Sequence, residues 1–366
     1  MSLYSDQASK KLKVGILCGG VSSEHEISLL SAQSILNAID KNKFDVSMIG
    51  IDKNGHWLEY PQQDYLLNPG NPKQIALNAE KIIKPIKMLP EAGANQNTLQ
   101  GKLDVIFPVL HGKNGEDGTV QGLLELANIP YVGSGVLASA LCMDKDLMKR
   151  VLRDAKLPMA DFISLSLQDY KNKTGKLNFE NIVEKLGLPF FLKPANAGSS
   201  VGVHKVKNQV GFEAALEDAF KHDKKVILEE FITGREIECS VLGNENPRAS
   251  LPGEVIVQGQ HEFYSYDCKY LDDNGAKIEI PARLKPELVK RIQDLAIVAY
   301  QTLNCAGMAR VDFFLAADET IYINELNTIP GFTKISMYPK MWEASGLSYG
   351  QLIEELIHLA LDRERI

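Results

Sequence analysis

The sequence is poor in the features that mark membrane, secreted or nucleic-acid-binding chains. No apolar run approaches the roughly 18 residues needed to span a bilayer. Residues 1–10 are polar, without the apolar centre of a secretory leader. Cysteine is scarce: the five present (Cys18, Cys142, Cys239, Cys268, Cys305) are odd in number, widely spaced and without a C-x-x-C pair. This argues against a disulfide framework or a structural zinc site and fits a reducing, cytoplasmic compartment. Positive charge is not in excess either. With 40 Lys and Arg against 47 Asp and Glu, the net charge is −7 and there is no basic footprint for nucleic acid. Anionic ligands must therefore be met by local cations, since the overall field does not attract them. Two phosphate-binding signatures, G-x-G-x-x-G and G-x-x-x-x-G-K-[ST], are missing. His56, His204, His222, His261 and His358 lack metal-ligand spacing, and no internal repeat is evident.

What remains is an ordinary globular composition, 45% hydrophobic and 24% charged, in a 366-residue chain long enough for two or three domains. An apolar run at 14–18 leads through glycines into a helical pattern at 24–39. Strands are expected at 45–51 and 104–107, with a helix at 120–127. Continuous apolar strands alternating with helices predict a parallel sheet covered on both faces. Residues 59–102, rich in Pro, Asn, Gln and Lys, read as an insertion with little periodicity. From about 134, helices at 136–155, 178–187 and 209–222 alternate with strands at 189–193, 202–206 and 226–232. The last third carries strands at 236–242 and 254–258 and a helix at 286–304. A strand pair at 308–315 and 320–326 and a helix beyond 348 complete it. The expected fold class is three α/β domains in series, 11–133, 134–230 and 231–366.

The strand pair carries the sharpest chemical signal. Side chains alternate along a strand, so Arg310 and Asp312 share one face, as do Glu325 and Asn327. A turn centred on Asp318-Glu319 sets Asp312 opposite Glu325 and Arg310 opposite Asn327. Two carboxylates and an amide carbonyl are oxygen ligands suited to Mg²⁺, which takes its other ligands from water and substrate phosphates. The competing reading is a solvated polar face with an Arg–Asp ion pair. A Pro330-Gly331 turn directly after the strand weakens it, because such a turn presents backbone N–H groups to a reacting centre.

Three glycine-rich loops add to this. Lys193-Pro194 runs into Ala195-Asn196-Ala197-Gly198-Ser199-Ser200, where small residues admit phosphate oxygens to backbone N–H groups and Lys193 supplies charge. The segment from His111 to Gly118 follows a strand and precedes a helix, the place where α/β sheets hold ligands. Gly19–Ser23 occupies the equivalent place after the first strand. There Ser23 and Glu26 read as a capping box, which leaves Glu24 free to face a ligand.

Together these segments resemble the D-alanine–D-alanine ligases, a branch of the ATP-grasp superfamily. The resemblance rests on GGVSSEHEIS, HGKNGEDG, GSGVLASALCMDK, KPANAGSSVG, EEFITGREI, Lys269-Tyr270, RVDFF and NELNTIPGFT, in the family's order along nearly the whole chain beyond residue 12. It implies an ATP-grasp fold with a substrate-binding N-terminal domain, and ATP held between the central and C-terminal ones. By the same resemblance Lys145, Lys193 and Ser200 meet the ATP phosphates. Glu229 and Glu236 bind the adenine amino group and the ribose, and Phe231 and Ile232 line the adenine pocket. Asp312, Glu325 and Asn327 match ligands of two Mg²⁺ or Mn²⁺ ions, and Arg310 with the Gly331 N–H matches the oxyanion donors. Glu24, hydrogen-bonded to Ser199 and Tyr270, matches the residue beside the first D-alanine's ammonium, with His111 close by. Lys269, Ser336 and Met337 match the site of the second D-alanine. The resemblance also implies a homodimer, and Tyr270 looks like the D-alanine acceptor type rather than the D-lactate or D-serine type.

Overall fold

The computed structural model describes residues 10–86, 102–173, 178–258 and 275–363. Lys269, Tyr270, Cys268 and part of the 59–102 stretch lie outside them.

Three strands, Leu12–Gly19, Phe44–Ile51 and Val105–Pro108, pair in parallel as their continuous apolar runs predict. The sheet is nevertheless mixed. Trp57–Tyr60 pairs antiparallel with Phe44–Ile51, and Lys84–Pro85 extends that edge. The stretch read as an insertion therefore supplies Lys84–Pro85 and the end of Trp57–Tyr60 to this sheet and holds a separate pair, Leu66–Leu67 and Ala76–Leu77, all too short to show a period. Helix His25–Ala38 covers one face with Leu29 and Ile35, beside Leu352 and Leu356 of the C-terminal helix Tyr349–Asp362. Helix Thr119–Leu126 covers the other, packing Val120 and Leu124 with Leu17, Ile49 and Ile106. Both faces are covered, but half of one cover comes from the far end of the chain.

The second sheet is antiparallel, in the order His204–Val206, Phe190–Pro194, Lys225–Glu230, Phe162–Ser166. Ile182 and Leu186 of helix Phe179–Leu186, and Phe212 and Leu216 of helix Gln209–His222, bury against Phe190, Val226 and Leu228. The third sheet is also antiparallel, in the order Ala276–Glu279, Gly253–Val257, Gly234–Gly243, Gly307–Ala316, Ile321–Asn327. Along Gly307–Ala316 the residues Val311, Phe313 and Leu315 are buried under helix Pro286–Thr302, while Arg310, Asp312 and Phe314 alternate onto the opposite face. That opposite face looks into the cleft.

Two local expectations are corrected. The helix read at 136–155 is two, Val136–Met143 and Lys145–Asp154, because the Asp144 carboxylate accepts the Leu147 N–H at 3.1 Å and restarts the helix. Lys145 thus opens the second helix. The Ser23–Glu26 capping box does not form. Gly19 and Gly20 hold φ of +91° and +98° in the entry turn, the helix begins only at His25, and Glu26 instead pairs with Lys53 at 2.6 Å. No helix among the described residues is long and apolar enough to cross a membrane.

Candidate active site

The cleft floor is the outer face of the third sheet. Arg310 pairs with Asn327 and Asp312 with Glu325, the register expected from the turn. The pairing shifts at the next step, where Phe313 faces Ile323 and Asn324 is an extra residue. This bulge matters because side chains alternate with period two. Ile321 and Ile323 face the helix side, and only the extra residue returns Glu325 and Asn327 to the face that carries Asp312. On the other flank Glu236 lies opposite Phe314 and Glu238 opposite Asp312, so a further carboxylate joins the face. Glu238 escaped the sequence reading, although its two-residue spacing from Glu236 places both on one side of the strand.

The charged groups on and above this face interlock. Arg310 donates from Nε and Nη2 to the two oxygens of Asp312, each at 2.7 Å, and its Nε lies 3.0 Å from Glu238 Oε2. Burial alone would lower the guanidinium's pKa, but Asp312 and Glu238 outweigh it and raise it well above its ordinary value. Asn327 Nδ2 donates to Asp312 Oδ2 at 3.0 Å, which turns its amide oxygen elsewhere. Lys145 Nζ lies 3.2 Å from Glu325 and donates to the Ala197 carbonyl at 3.0 Å. That contact ties the helix start to the glycine-rich loop.

Deeper in the cleft, Glu229 holds two lysines. Lys149 Nζ meets Oε1 at 2.9 Å, and Lys193 Nζ pairs with Oε2. Burial would raise the Glu229 carboxyl, but Lys149 and Lys193 outweigh it and hold it at about 2. Lys149 was not singled out from sequence. It lies four residues beyond Lys145 and so on the same helix face, which was the available signal. Phe231 and Ile232 follow at the end of the strand that carries Glu229, with the Phe231 ring 5.7 Å from that of Phe191 and the Lys205 Nζ 4.2 Å above it.

The glycine-rich loop reaches over to the start of helix His25–Ala38. Ser199 Oγ donates to Glu24 Oε1. Ser199 and Ser200 hold φ of +49° and +59°, a left-handed conformation that costs non-glycine residues about 1–3 kcal/mol each. A Cβ at Gly112 would sit 2.8 Å from Glu24 Oε2 and one at Gly198 3.2 Å from it, so the absence of side chains there gives Glu24 its room. Burial lowers the pKa of His111 and so disfavours its charged form. Its Nδ1–H donates to the Ile329 carbonyl at 3.1 Å, which leaves the buried Nε2 as an acceptor. Ser336 caps helix Met337–Ala344, and its Oγ accepts the Thr333 N–H at 3.0 Å. It also stands 3.1 Å from where a Gly331 Cβ would lie, holding that backbone close. The Met337 side chain packs with Val255 and Met341. Its N–H, at a helix start, is therefore what it offers a carboxylate.

Glu116 is another group the sequence reading passed over. It accepts the Gly112 N–H at 2.9 Å, and burial, reinforced by the nearby Glu24, raises its pKa from 4.5 to about 8. A carboxyl raised in the native state leaves stability intact below the unfolded value and erodes it as pH climbs towards the native value. In the ligand-free protein, Glu116→Gln should therefore gain stability over wild type progressively between pH 4.5 and about 8, then level off. Denaturant midpoints across that range check this; a pH-independent difference contradicts it.

Arg310, Asp312, Glu238, Glu229, Lys145, Lys149, Glu116 and Glu24 line one cleft of about 880 Å³, near the top of the roughly 300–1,000 Å³ usual for small-molecule sites. It takes in every described residue named from sequence for ATP, metal or amino acid, including Glu236 and Ser200. A family model described as D-ala D-ala ligase N-terminus matches residues 13–134, and one described as D-ala D-ala ligase C-terminus matches 151–358. The chain belongs to the D-alanine–D-alanine ligase family. It is 53% identical to the D-alanine–D-alanine ligase of Oceanobacillus iheyensis over 97% of this chain and 96% of that one. It is 52% identical to D-alanine–D-alanine ligase A of Escherichia coli K12, with 97% of each covered. Among solved structures, the D-alanine–D-alanine ligase from Coxiella burnetii superposes with a TM-score of 0.81 at 40% identity, over 97% of this chain and 95% of that one. The VanG D-Ala:D-Ser ligase from Enterococcus faecalis gives 0.82 at 37%, over 96% and 100%. Those neighbours have the ATP-grasp fold, and so does this family member. Two such similar scores mean that backbone shape alone does not separate the acceptors.

Proposed function

We propose that this ligase joins two D-alanines to D-alanyl-D-alanine, with ATP cleaved to ADP and phosphate, for peptidoglycan precursor synthesis in the cytoplasm. The observation that carries the proposal is the single face on which Arg310, Asp312, Glu325 and Asn327 meet, below Lys145 and the glycine-rich loop. Among the described residues no three His, Cys, Asp or Glu form a ready metal cage. Two carboxylates and an amide oxygen fit Mg²⁺ or Mn²⁺ better than zinc, because Mg²⁺ takes few protein ligands and completes its shell from water and phosphates. Asp312, Glu325 and Asn327 would hold one or two such ions. When bound they neutralise phosphate charge and polarise the transferred group.

The chain's own groups account for the rest. Lys145 and Lys193 bring positive charge to the phosphates, and for Lys193 this means leaving Glu229 to Lys149. Phe231 and Ile232 receive the adenine, and Glu236 the ribose. Glu24 orients the first D-alanine through its ammonium, leaving that carboxylate free to attack the γ-phosphate and become an acyl phosphate. Attack on this carbonyl by the second D-alanine's amine, its carboxylate held by Ser336 and the Met337 N–H, expels phosphate. Arg310 and the Gly331 N–H stabilise the tetrahedral oxyanion. The Ser199–Glu24 bond closes the loop over the cleft and keeps water from the acyl phosphate. A homodimer is the assembly we propose.

The test is ADP release with Mg·ATP and D-alanine, in parallel with L-alanine and with D-alanine plus D-lactate or D-serine, products being weighed by mass spectrometry. D-alanyl-D-alanine as the dominant product supports the reading. A dominant depsipeptide or mixed dipeptide overturns the acceptor, and nucleotide binding without D-alanine-dependent ADP release overturns the reaction.

A further inference from the structure

Asp312 is committed twice. Both of its oxygens are held by Arg310 at 2.7 Å and one by Asn327 at 3.0 Å, yet the proposed reaction needs the same oxygens for a divalent cation. A carboxylate offers about four lone-pair directions, and at least three are taken. Metal binding must therefore loosen the Arg310 fork, at the stage when Arg310 has to stay aimed at the reacting carbonyl.

The other flank of the guanidinium carries Glu238. Its Oε2 lies 3.0 Å from Arg310 Nε, it sits directly opposite Asp312 in the strand register, and it is only 6% exposed. Ser240, next along that face and opposite Arg310, gives its hydroxyl to the Tyr338 carbonyl instead. Burying a third carboxylate beside Asp312 and Glu325 is costly unless a cation holds it, and Arg310 is a cation within ion-pair distance.

We infer that Glu238 is the positioning residue for Arg310, anchoring the guanidinium from the Gly234–Gly243 strand while Asp312 turns to the metal. This rests on the metal-dependent ligase reading above. Glu238 touches neither substrate nor metal; it acts through Arg310. Without it, Arg310 clings to Asp312 alone and competes with the cation.

The test is a double-mutant cycle read by Mn²⁺ binding in electron paramagnetic resonance, with a non-hydrolysable ATP analogue present. Glu238→Gln keeps the shape and removes the charge. In the wild-type background it should weaken Mn²⁺ binding by about tenfold, a coupling typical of groups in one ion-pair network. In the Arg310→Met background the same change should have less than about a twofold effect, because the competitor is gone. In steady state, Glu238→Gln should lower kcat while leaving KM for ATP near wild type, and Glu238→Asp, whose shorter arm keeps charge but loses reach, should fail to rescue it. Equal weakening in both backgrounds would mean that Glu238 acts only through its field, and full rescue by aspartate would mean that reach is irrelevant. Either outcome overturns the inference. Wild-type protein that binds no Mn²⁺ with the nucleotide overturns the metal-dependent reading itself.

Discussion

Arg310→Ala is expected to keep its grip on the adenine end of ATP and to turn over about 10²–10³-fold more slowly, the usual cost of one lost oxyanion donor. The proposed adenine pocket, Phe231 and Ile232, follows strand Lys225–Glu230 of a different sheet, so the change should not reach it. At the floor the consequences are larger. Arg310 is the group that neutralises Asp312 and Glu238 together. Its loss leaves their buried charges unbalanced, and breaking such a cluster from one side destabilises by about 3–5 kcal/mol. The variant should therefore be less stable without ligand and recover part of that loss when Mg²⁺ and nucleotide are added, because the metal supplies charge where the guanidinium was. Single-turnover kinetics and denaturant midpoints with and without Mg²⁺ separate the two effects. Near wild-type turnover would remove Arg310 from the chemistry.

The second large effect is expected at Glu229. Glu229→Ala abandons two ammonium groups at close quarters, and Lys149 among them is only 1% exposed. The ligand-free protein should lose about 3–5 kcal/mol, as when one partner of a buried ion pair is removed. Lys149→Met should cost distinctly less, because Glu229 keeps Lys193 and the thioether fills the apolar space. Burial also pushes the Lys149 ammonium below its ordinary pKa despite Glu229, so this lysine gains little from being buried charged. Saturating ATP should narrow the Glu229→Ala deficit if Lys193 then meets phosphate. Chemical denaturation followed on the central sheet checks the order of the two variants; equal losses would mean that the pair is not what holds this region.

The hairpin was legible because its polar residues fall at even spacing within apolar strands; its pairing of Asp312 with Glu325 was expected, but the bulge at Asn324, which the sequence did not reveal, is what produces it. The glycine-rich loops were legible because few reasons other than ligand approach put that many small residues at strand ends. Glu238, Lys149 and Glu116 were harder to see. Each owes its character to a partner distant in sequence: Arg310 on a neighbouring strand, Glu229 across the cleft, and Glu24 beside the first sheet. Strand Phe162–Ser166 has a serine at every second position beyond Ile163, which blurs the apolar pattern. Helix Met337–Ala344 was hidden by Pro339, tolerated there because the first helical turn does not need that N–H. Lys269 and Tyr270 remain readings from resemblance.

The extra residue at Asn324 gives the hairpin a parity. On the turn side of it, odd-numbered residues of the last strand point under the sheet; on the far side, odd-numbered residues point into the cleft. The proposed metal face therefore depends on the spacing of Glu325 and Asn327 as well as on their identity. Deleting Asn324 would remove the bulge and set Glu325 directly after Ile323, where plain alternation keeps Glu325 and Asn327 in the cleft; deleting Leu326 instead would send Asn327 into the apolar layer. Lengthening the turn at Ala317-Asp318, on the other side of the bulge, leaves that spacing unchanged. Length variation in such a chain should accumulate at the turn and be absent between Glu325 and Asn327.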